Sequence, residues 1–390
     1  MTARRGVIVL VMVSVLHNLL RLLATALGMA PGIFNYLPPY RPEPSGSLDQ
    51  STTALFAVIL ISIVAFAWQG WRRPQDESSR SRWASALSSA VMTLPICLLA
   101  VAVSTTADRT YGWALFVLVP VVAGFLAATL LGRRFPISLW DAIGVAIFSA
   151  VLLGGVLIAL ALEGLVCLLM ALPIALPLAM VGGALGYLVH RQPVVRHPAT
   201  FLLIAGLTPF GAGLEHALLP AEDRFVVSTA IDIPASPERV WQTILQPAKL
   251  PPPSDAIFRA GVAYPLASHI EGLGTSATRY CDFSTGKLVE PVLIWDERRQ
   301  LRFRVASNPL PMQEWTPYAE IHPPHLDGFL VSRQGEFRLT PLPDGGTHLE
   351  ASTWYQHHLA PAHYWRWWSD YIIHQVHQMV LANIKERALR

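Results

Sequence analysis

Apolar residues form long runs over the first half of the chain and alternate with polar ones over much of the second. A helix that crosses a bilayer needs about 20 mostly apolar residues, because in hydrocarbon every backbone polar group must be satisfied within the segment. Five segments meet that requirement in full: 53–71, 84–104, 113–132, 142–162 and 164–189. Two more are long enough but interrupted. Residues 6–30 hold His17, Asn18 and Arg21, and residues 198–217 hold Pro209, three glycines and Glu215. Seven spans are expected. Arg4 and Arg5 before the first run imitate a signal peptide, but the spans that follow favour a retained first helix or anchor.

From Glu222 the period changes to two. Phe225–Ile233 reads as a strand rich in β-branched residues. Ser236 is a plausible N-cap and Pro237 suits the first position of a short helix bearing Val240, Trp241, Ile244 and Leu245. Further strands are expected at 275–283, 287–295, 300–306, 329–339 and 348–355, with a hairpin turn at Pro341–Gly346. A long helix, about 362–388, closes the chain. Its expected apolar stripe runs through Trp365, Trp368, Ile372, Val376, Met379/Val380 and Asn383/Ile384, with Arg366, Asp370, His374 and Gln378 opposite.

Charge divides the chain at the same place. The first 220 residues hold 13 arginines, no lysine and 8 acidic residues; the remainder holds 16 basic and 18 acidic residues. The mean hydropathy of the whole is +0.41 and only 14% of residues are charged. Domain boundaries are therefore expected at 1–220 for a transmembrane helical domain and 221–390 for a soluble one. The arginines cluster in alternate loops (Arg72, Arg73, Arg80 and Arg82; Arg133 and Arg134; Arg191 and Arg196), which places those loops in the cytoplasm. The expected location is a bacterial cytoplasmic membrane. If 198–217 crosses, the C-terminal domain is extracytoplasmic, the favoured reading; if it lies on the surface, the domain is cytoplasmic. Arginine placed for topology gives no case for nucleic acid. Cys97, Cys167 and Cys281 are too dispersed for a disulfide framework.

Pro173, Pro177 and the Gly182-x-x-x-Gly186 pair share one span, and packing explains them. Glu163 reads as a loop residue between two spans. No arginine ladder, broken-helix repeat or mid-membrane carboxylate pair points to a transporter or a voltage sensor.

The soluble half resembles a known superfamily. Strand 225–233 followed by IPASPERVWQTI, then antiparallel strands and one long terminal helix, is similar to the START-related helix-grip (SRPBCC) superfamily in its polyketide cyclase/dehydrase-like branch. The resemblance implies an α+β domain, a curved antiparallel sheet around the C-terminal helix, fused to an all-α transmembrane bundle. It also implies a hydrophobic ligand between sheet and helix. The expected lining is Trp241, Phe283, Trp295, Phe303, Phe337, Trp354, Trp368 and Ile372. The Pro- and aromatic-rich insert 307–328 departs from simpler members; it could close the cavity, pack against the membrane half, or bind a protein partner.

Candidate chemistry changes this picture little. Nine of the 13 histidines lie in 269–377, including His322, His325, His357, His358, His374 and His377. No HExxH or cysteine-containing pattern accompanies them, so neither a metal nor any cofactor is expected. Asp370 one turn before His374 reads as a helix-surface pair. Carboxylates that could act in acid–base chemistry are Asp282, Glu290, Glu314, Glu320 and Asp327. Strand alternation puts Glu290 on the side of Leu288, Val292 and Ile294. It either faces the cavity, as a candidate catalytic group, or pairs with an arginine such as Arg279 on the neighbouring strand; the ion pair is the favoured reading. Trp367 and Tyr371 lie off the expected core face, where they could meet lipid headgroups. The expected function is membrane-anchored binding of a lipid or other hydrophobic molecule. The alternatives are a cyclase- or dehydratase-like enzyme on the same cavity and a structural or regulatory membrane protein.

Overall fold

The computed structural model describes residues 79–102, 104–105, 111–189, 224–318, 321 and 323–390. The expected spans 6–30, 53–71 and 198–217, the Pro-rich loop 31–52, Glu320 and His322 lie outside these residues. The described residues form two compact units. One comprises the apolar helices together with Glu314–Pro324, and the other the remaining residues of the second half.

Four helices of the first unit are long and apolar enough to cross a membrane. They are α1 (Ser79–Ala102), α2 (Val119–Gly132, entered through a π-helical turn Ala114–Leu118), α3 (Leu139–Ala159) and α4 (Leu165–Val189). Counting the π-helical turn with α2, they match the four expected spans between 84 and 189 to within five residues. α3 begins at a capping box: the Ser138 hydroxyl accepts the Asp141 N–H while the Asp141 carboxylate accepts the Ser138 N–H at 2.9 Å. Apolar stripes alone do not hold helices together in lipid; close backbone approach and interhelical hydrogen bonds do. Both are present. The Thr93 and Ser149 hydroxyls meet at 2.8 Å between α1 and α3. A Cβ on Gly182 would stand 2.0 Å from the Val121 carbonyl oxygen, and one on Gly186 2.7 Å from that of Phe125. The small-residue spacing in α4 thus seats it on α2.

Glu163 lies in the loop between α3 and α4, as its position suggests, yet it is buried and accepts the Tyr111 hydroxyl at 2.9 Å. The N-terminus of α4 is capped from far along the chain. Glu314 accepts the Val166 and Cys167 N–H groups at 3.0 and 3.2 Å, and the Trp315 carbonyl accepts the Leu165 N–H at 2.9 Å. A carboxylate there meets the otherwise orphaned first-turn donors and the positive end of the helix dipole. Glu314 is therefore a cap in this structure, not a free acid.

The second unit is built on one eight-stranded antiparallel sheet in the order β1-β8-β7-β6-β5-β4-β3-β2. The strands are β1 (Arg224–Ile233), β2 (Ala248–Lys249), β3 (Pro265–Glu271), β4 (Thr278–Phe283), β5 (Gly286–Asp296), β6 (Gln300–Arg304), β7 (Leu330–Pro341) and β8 (Thr347–His357). Between β1 and β2 lies helix α5 (Pro237–Leu245), N-capped by Ser236. The β7–β8 hairpin turns where Pro341–Gly346 implies, with Gly345 at φ +84°. Strands β2 and β3 were not expected. Pro265 and Gly272 mask β3, and pairing with β4 rather than internal pattern makes it a strand. Register shifts in β3, β5 and β7 mark bulges, which bend and twist a sheet. The curled sheet carries α6 (Ala362–Ala388) on its inner face, against β1 and β8. This is the helix-grip arrangement. Ile233, Val240, Trp241, Leu301, Leu349, Leu381 and Ile384 form its core.

The buried stripe of α6 differs from the expected one. It runs through Trp365, Ser369, His377, Leu381, Ile384 and Ala388. His377 occupies it because Thr229 and Thr353 on the sheet offer it hydroxyls, and Ser369 because it donates back to the Trp365 carbonyl at 3.0 Å; hydrophobic periodicity registers neither.

Candidate functional site

Alternation on the central strands sorts the side chains cleanly. Arg302, Glu336, Ser352 and Trp354 stand on the outer face; Phe303, Gly335, Phe337, Ala351 and Thr353 stand on the inner. Between that inner face and α6 is a cavity of about 160 Å³. Phe283, Leu288, Phe303, Phe337, Ile372 and Val376 supply its apolar wall, and Asn308–Pro311 of the insert contribute one side. Phe303 reaches across β7 because residue 335 is glycine: a Cβ there would lie 2.2 Å from the Phe303 ring.

Charged residues lie at the wall. Arg279 on β4 and Glu290 on β5 are cross-strand partners, both buried, and both face the cavity. Their side chains form an ion pair through Arg279 Nη1 and Glu290 Oε2. The guanidinium carbon lies 5.1 Å from the Phe303 ring centroid and 5.6 Å from that of Phe337. Burial pushes the Glu290 carboxyl up from its ordinary value, and the charge and hydrogen bond of Arg279 oppose that. Glu290 thus lines the cavity and pairs with Arg279. Cys281, one step along β4, also lines the cavity; burial raises its thiol to about 11.

His377 on α6 also lines the cavity. Its Nε2 lies 2.7 Å from the Thr353 hydroxyl and its Nδ1 3.1 Å from that of Thr229. Burial, with a smaller contribution from His374, depresses its pKa to about 4, so the ring is neutral at ordinary pH. His374 Nδ1 meets the same Thr229 hydroxyl at 2.7 Å. The two histidines thus spend their facing nitrogens on a threonine. Asp370 does not pair with His374; it accepts the Tyr355 hydroxyl at 2.5 Å and Arg366 Nε at 3.1 Å.

Of the eight residues expected at the lining, Phe283, Phe303, Phe337 and Ile372 surround the cavity. Trp241 and Trp295 form an edge-to-face pair at 5.6 Å in the core. Trp354 stands on the outer face, where Arg302 covers its ring at 5.2 Å. Trp368 is half-buried near the start of α6 and does not line the cavity. Arg279 and His377 are lining residues outside the eight expected. The signal for Arg279 was available, since it is the cross-strand neighbour of Glu290; His377 sits on a face that periodicity assigns to neither side.

No family model matches the chain, and no curated protein matches it either. Solved structures do show likeness to the second half. Norcoclaurine synthase of Thalictrum flavum, in complex with a transition-state analogue, is 11% identical over 44% of this chain and 98% of its own, with a TM-score of 0.29. The ZhuI aromatase/cyclase of Streptomyces sp. R1128 is 13% identical over 43% of this chain and 95% of its own, with a TM-score of 0.28. An uncharacterised protein of Bacillus thuringiensis is 12% identical over 43% and 100%, with a TM-score of 0.29. The helix-grip assignment rests on the strand order and the long helix themselves.

Proposed function

We propose that this protein is a membrane-anchored binding protein whose C-terminal domain holds a hydrophobic small molecule between the sheet and α6. The observation that carries this reading is the cavity of about 160 Å³ with an aromatic wall and a buried ion pair. Such a mixture, apolar surface with a few polar groups, is what small-molecule sites offer. The volume is close to that of cavities that take up benzene, so a ring, or one segment of a lipid, fits better than a whole phospholipid. The four apolar helices are the proposed anchor, and the bilayer is the proposed partner and ligand source. Trp367 and Tyr371, exposed and stacked at 6.3 Å, are suited to a headgroup region.

The test is uptake by the purified full chain of fluorobenzene, read by ¹⁹F NMR against protein-free nanodiscs. Binding is expected for the parent and not for Val376→Phe, which fills the cavity from α6. Equal uptake by both would remove the cavity from the mechanism.

A second reading, catalysis on the same cavity, is favoured by one observation: Glu290 is a buried carboxyl at the cavity wall with a raised pKa. It requires the carboxylate to exchange Arg279 for a substrate proton. Arg279 and Glu290 replaced together by apolar residues should abolish turnover on that reading while leaving apolar binding intact.

A further inference from the structure

We infer that the cavity selects uncharged, ring-sized molecules carrying one hydroxyl or carbonyl group, and rejects carboxylates and amines of the same size. The inference rests on the ligand-binding reading above and concerns what that site will accept.

Its basis is the Arg279–Glu290 pair. Both side chains face the cavity and both are buried, so their formal charges cancel inside a low-dielectric space. A carboxylate ligand would place a second anion beside Glu290. An ammonium ligand would place a second cation beside Arg279. Either leaves a net charge without water, which is costly unless another ionised group compensates. The other titratable groups at the cavity do not compensate. His377 is neutral, its two nitrogens held by Thr229 and Thr353. Cys281 is a thiol. Glu336 contributes to the wall, but its carboxylate is directed to the outer face, where Arg302 and Arg338 bind it at 2.6 and 2.9 Å.

The same pair has capacity for a neutral polar group. A guanidinium offers five N–H donors, and a carboxylate has four lone-pair positions. Phe303 and Phe337 hold their rings 5.1 and 5.6 Å from the guanidinium carbon, and donation runs from the N–H groups. A hydroxyl can accept from Arg279 and donate to Glu290; a carbonyl can accept from Arg279. Asn308 at the wall is engaged by the Ser332 backbone, donating to its carbonyl at 3.1 Å and accepting its N–H at 2.9 Å. The cavity size limits the apolar part to about one substituted ring.

The experiment measures dissociation constants for four ¹⁹F probes at pH 7 with the full chain in nanodiscs: fluorobenzene, 4-fluorophenol, 4-fluorobenzoate and 4-fluorobenzylamine. The neutral phenol is expected to bind about tenfold or more tightly than the benzoate and the benzylammonium, and more tightly than fluorobenzene. Glu290→Gln removes the carboxylate charge, and the benzoate is then expected to become the tightest probe. Because loss of one partner from a buried pair is strongly destabilising, the double variant Arg279→Met with Glu290→Met provides a second route. It is expected to bind the phenol no more tightly than fluorobenzene. If the parent binds fluorobenzene but binds benzoate as well as phenol, the selectivity inference fails and the cavity reading stands. An unchanged phenol preference in the double variant also overturns the inference. If no probe binds the parent, the cavity reading itself fails and the inference with it.

Discussion

Phe303 occupies the space that a side chain at Gly335 would need, its Cε2 lying 2.2 Å from the position of a Cβ on that residue. The two residues are cross-strand partners on the inner face, so the aromatic wall of the cavity depends on a missing methyl group. Gly335→Ala is expected to push the Phe303 ring into the cavity. Overpacking of this kind costs about 1–3 kcal/mol. Two readouts should move together: a lower melting temperature and a loss of fluorobenzene uptake. Unchanged uptake would mean that Phe303 can yield elsewhere and does not form the wall.

His377 makes stability depend on pH in a defined window. Its folded pKa, about 4, lies below the ordinary histidine value of 6.5. Above 6.5 both folded and unfolded forms are neutral and the contribution is fully present. As pH falls below 6.5 the unfolded chain gains a proton that the folded chain refuses, and stability is lost until the folded group titrates near 4. The groups facing it are Thr229, Thr353 and His374. The loss is on the order of 3 kcal/mol. His377→Asn keeps a donor and an acceptor but cannot titrate. The stability gap between parent and variant, compared at pH 7 and pH 4.5, is expected to narrow on acidification. A gap that does not change with pH would show that the ring is not held neutral.

Much of this was legible in the residues, and the parts that were not share a cause. The four apolar helices between 79 and 189 are visible because each is a long run with few breaks in its apolar residues. β1, α5 and the β7–β8 hairpin are visible because Ser236, Pro237 and Gly345 act locally. β3 is invisible because its pairing with β4 is a long-range fact. The Glu314 cap on α4 is invisible for the same reason, being separated by about 150 residues from the donors it meets. At the cavity, sequence favoured large aromatics, and four of the eight chosen line it. The tryptophans did not: Trp241 and Trp295 found each other, and Trp354 found Arg302. The hydrophobic pattern identifies which residues are buried against something, and only the three-dimensional pairing decides against what.

Cys281 is expected to be inert. Burial raises its thiol to about 11, with the charge of Arg279 opposing, so at pH 8 about one thiol in a thousand is ionised. Iodoacetamide should label it about 100-fold or more slowly than a free cysteine. Peptide mass mapping separates it from Cys97 and Cys167. In Arg279→Met with Glu290→Met the thiol remains buried and should stay unreactive. Rapid labelling of Cys281 at neutral pH would mean that the cavity opens to water, and the ligand selectivity argued from a dry ion pair would lose its basis.

Gly182 tests whether α2 and α4 are held by close backbone approach. The position of its Cβ would fall 2.0 Å from the Val121 carbonyl oxygen, too near for any rotamer change to relieve. Gly183 is nearly as confined, 2.8 Å from the Ala142 carbonyl oxygen on α3. In lipid, where burying apolar surface between helices gives little, separating the two backbones removes the dispersion contacts that hold them. Gly182→Val is therefore expected to destabilise the first unit severely, seen as aggregation on extraction into mild detergent. Gly144 and Gly155 on α3 have no atom within 4 Å of a Cβ, so alanine at either should be tolerated. If Gly182→Val extracts as a stable, monodisperse protein while Gly155→Ala does not, α4 is not seated on α2 through this glycine.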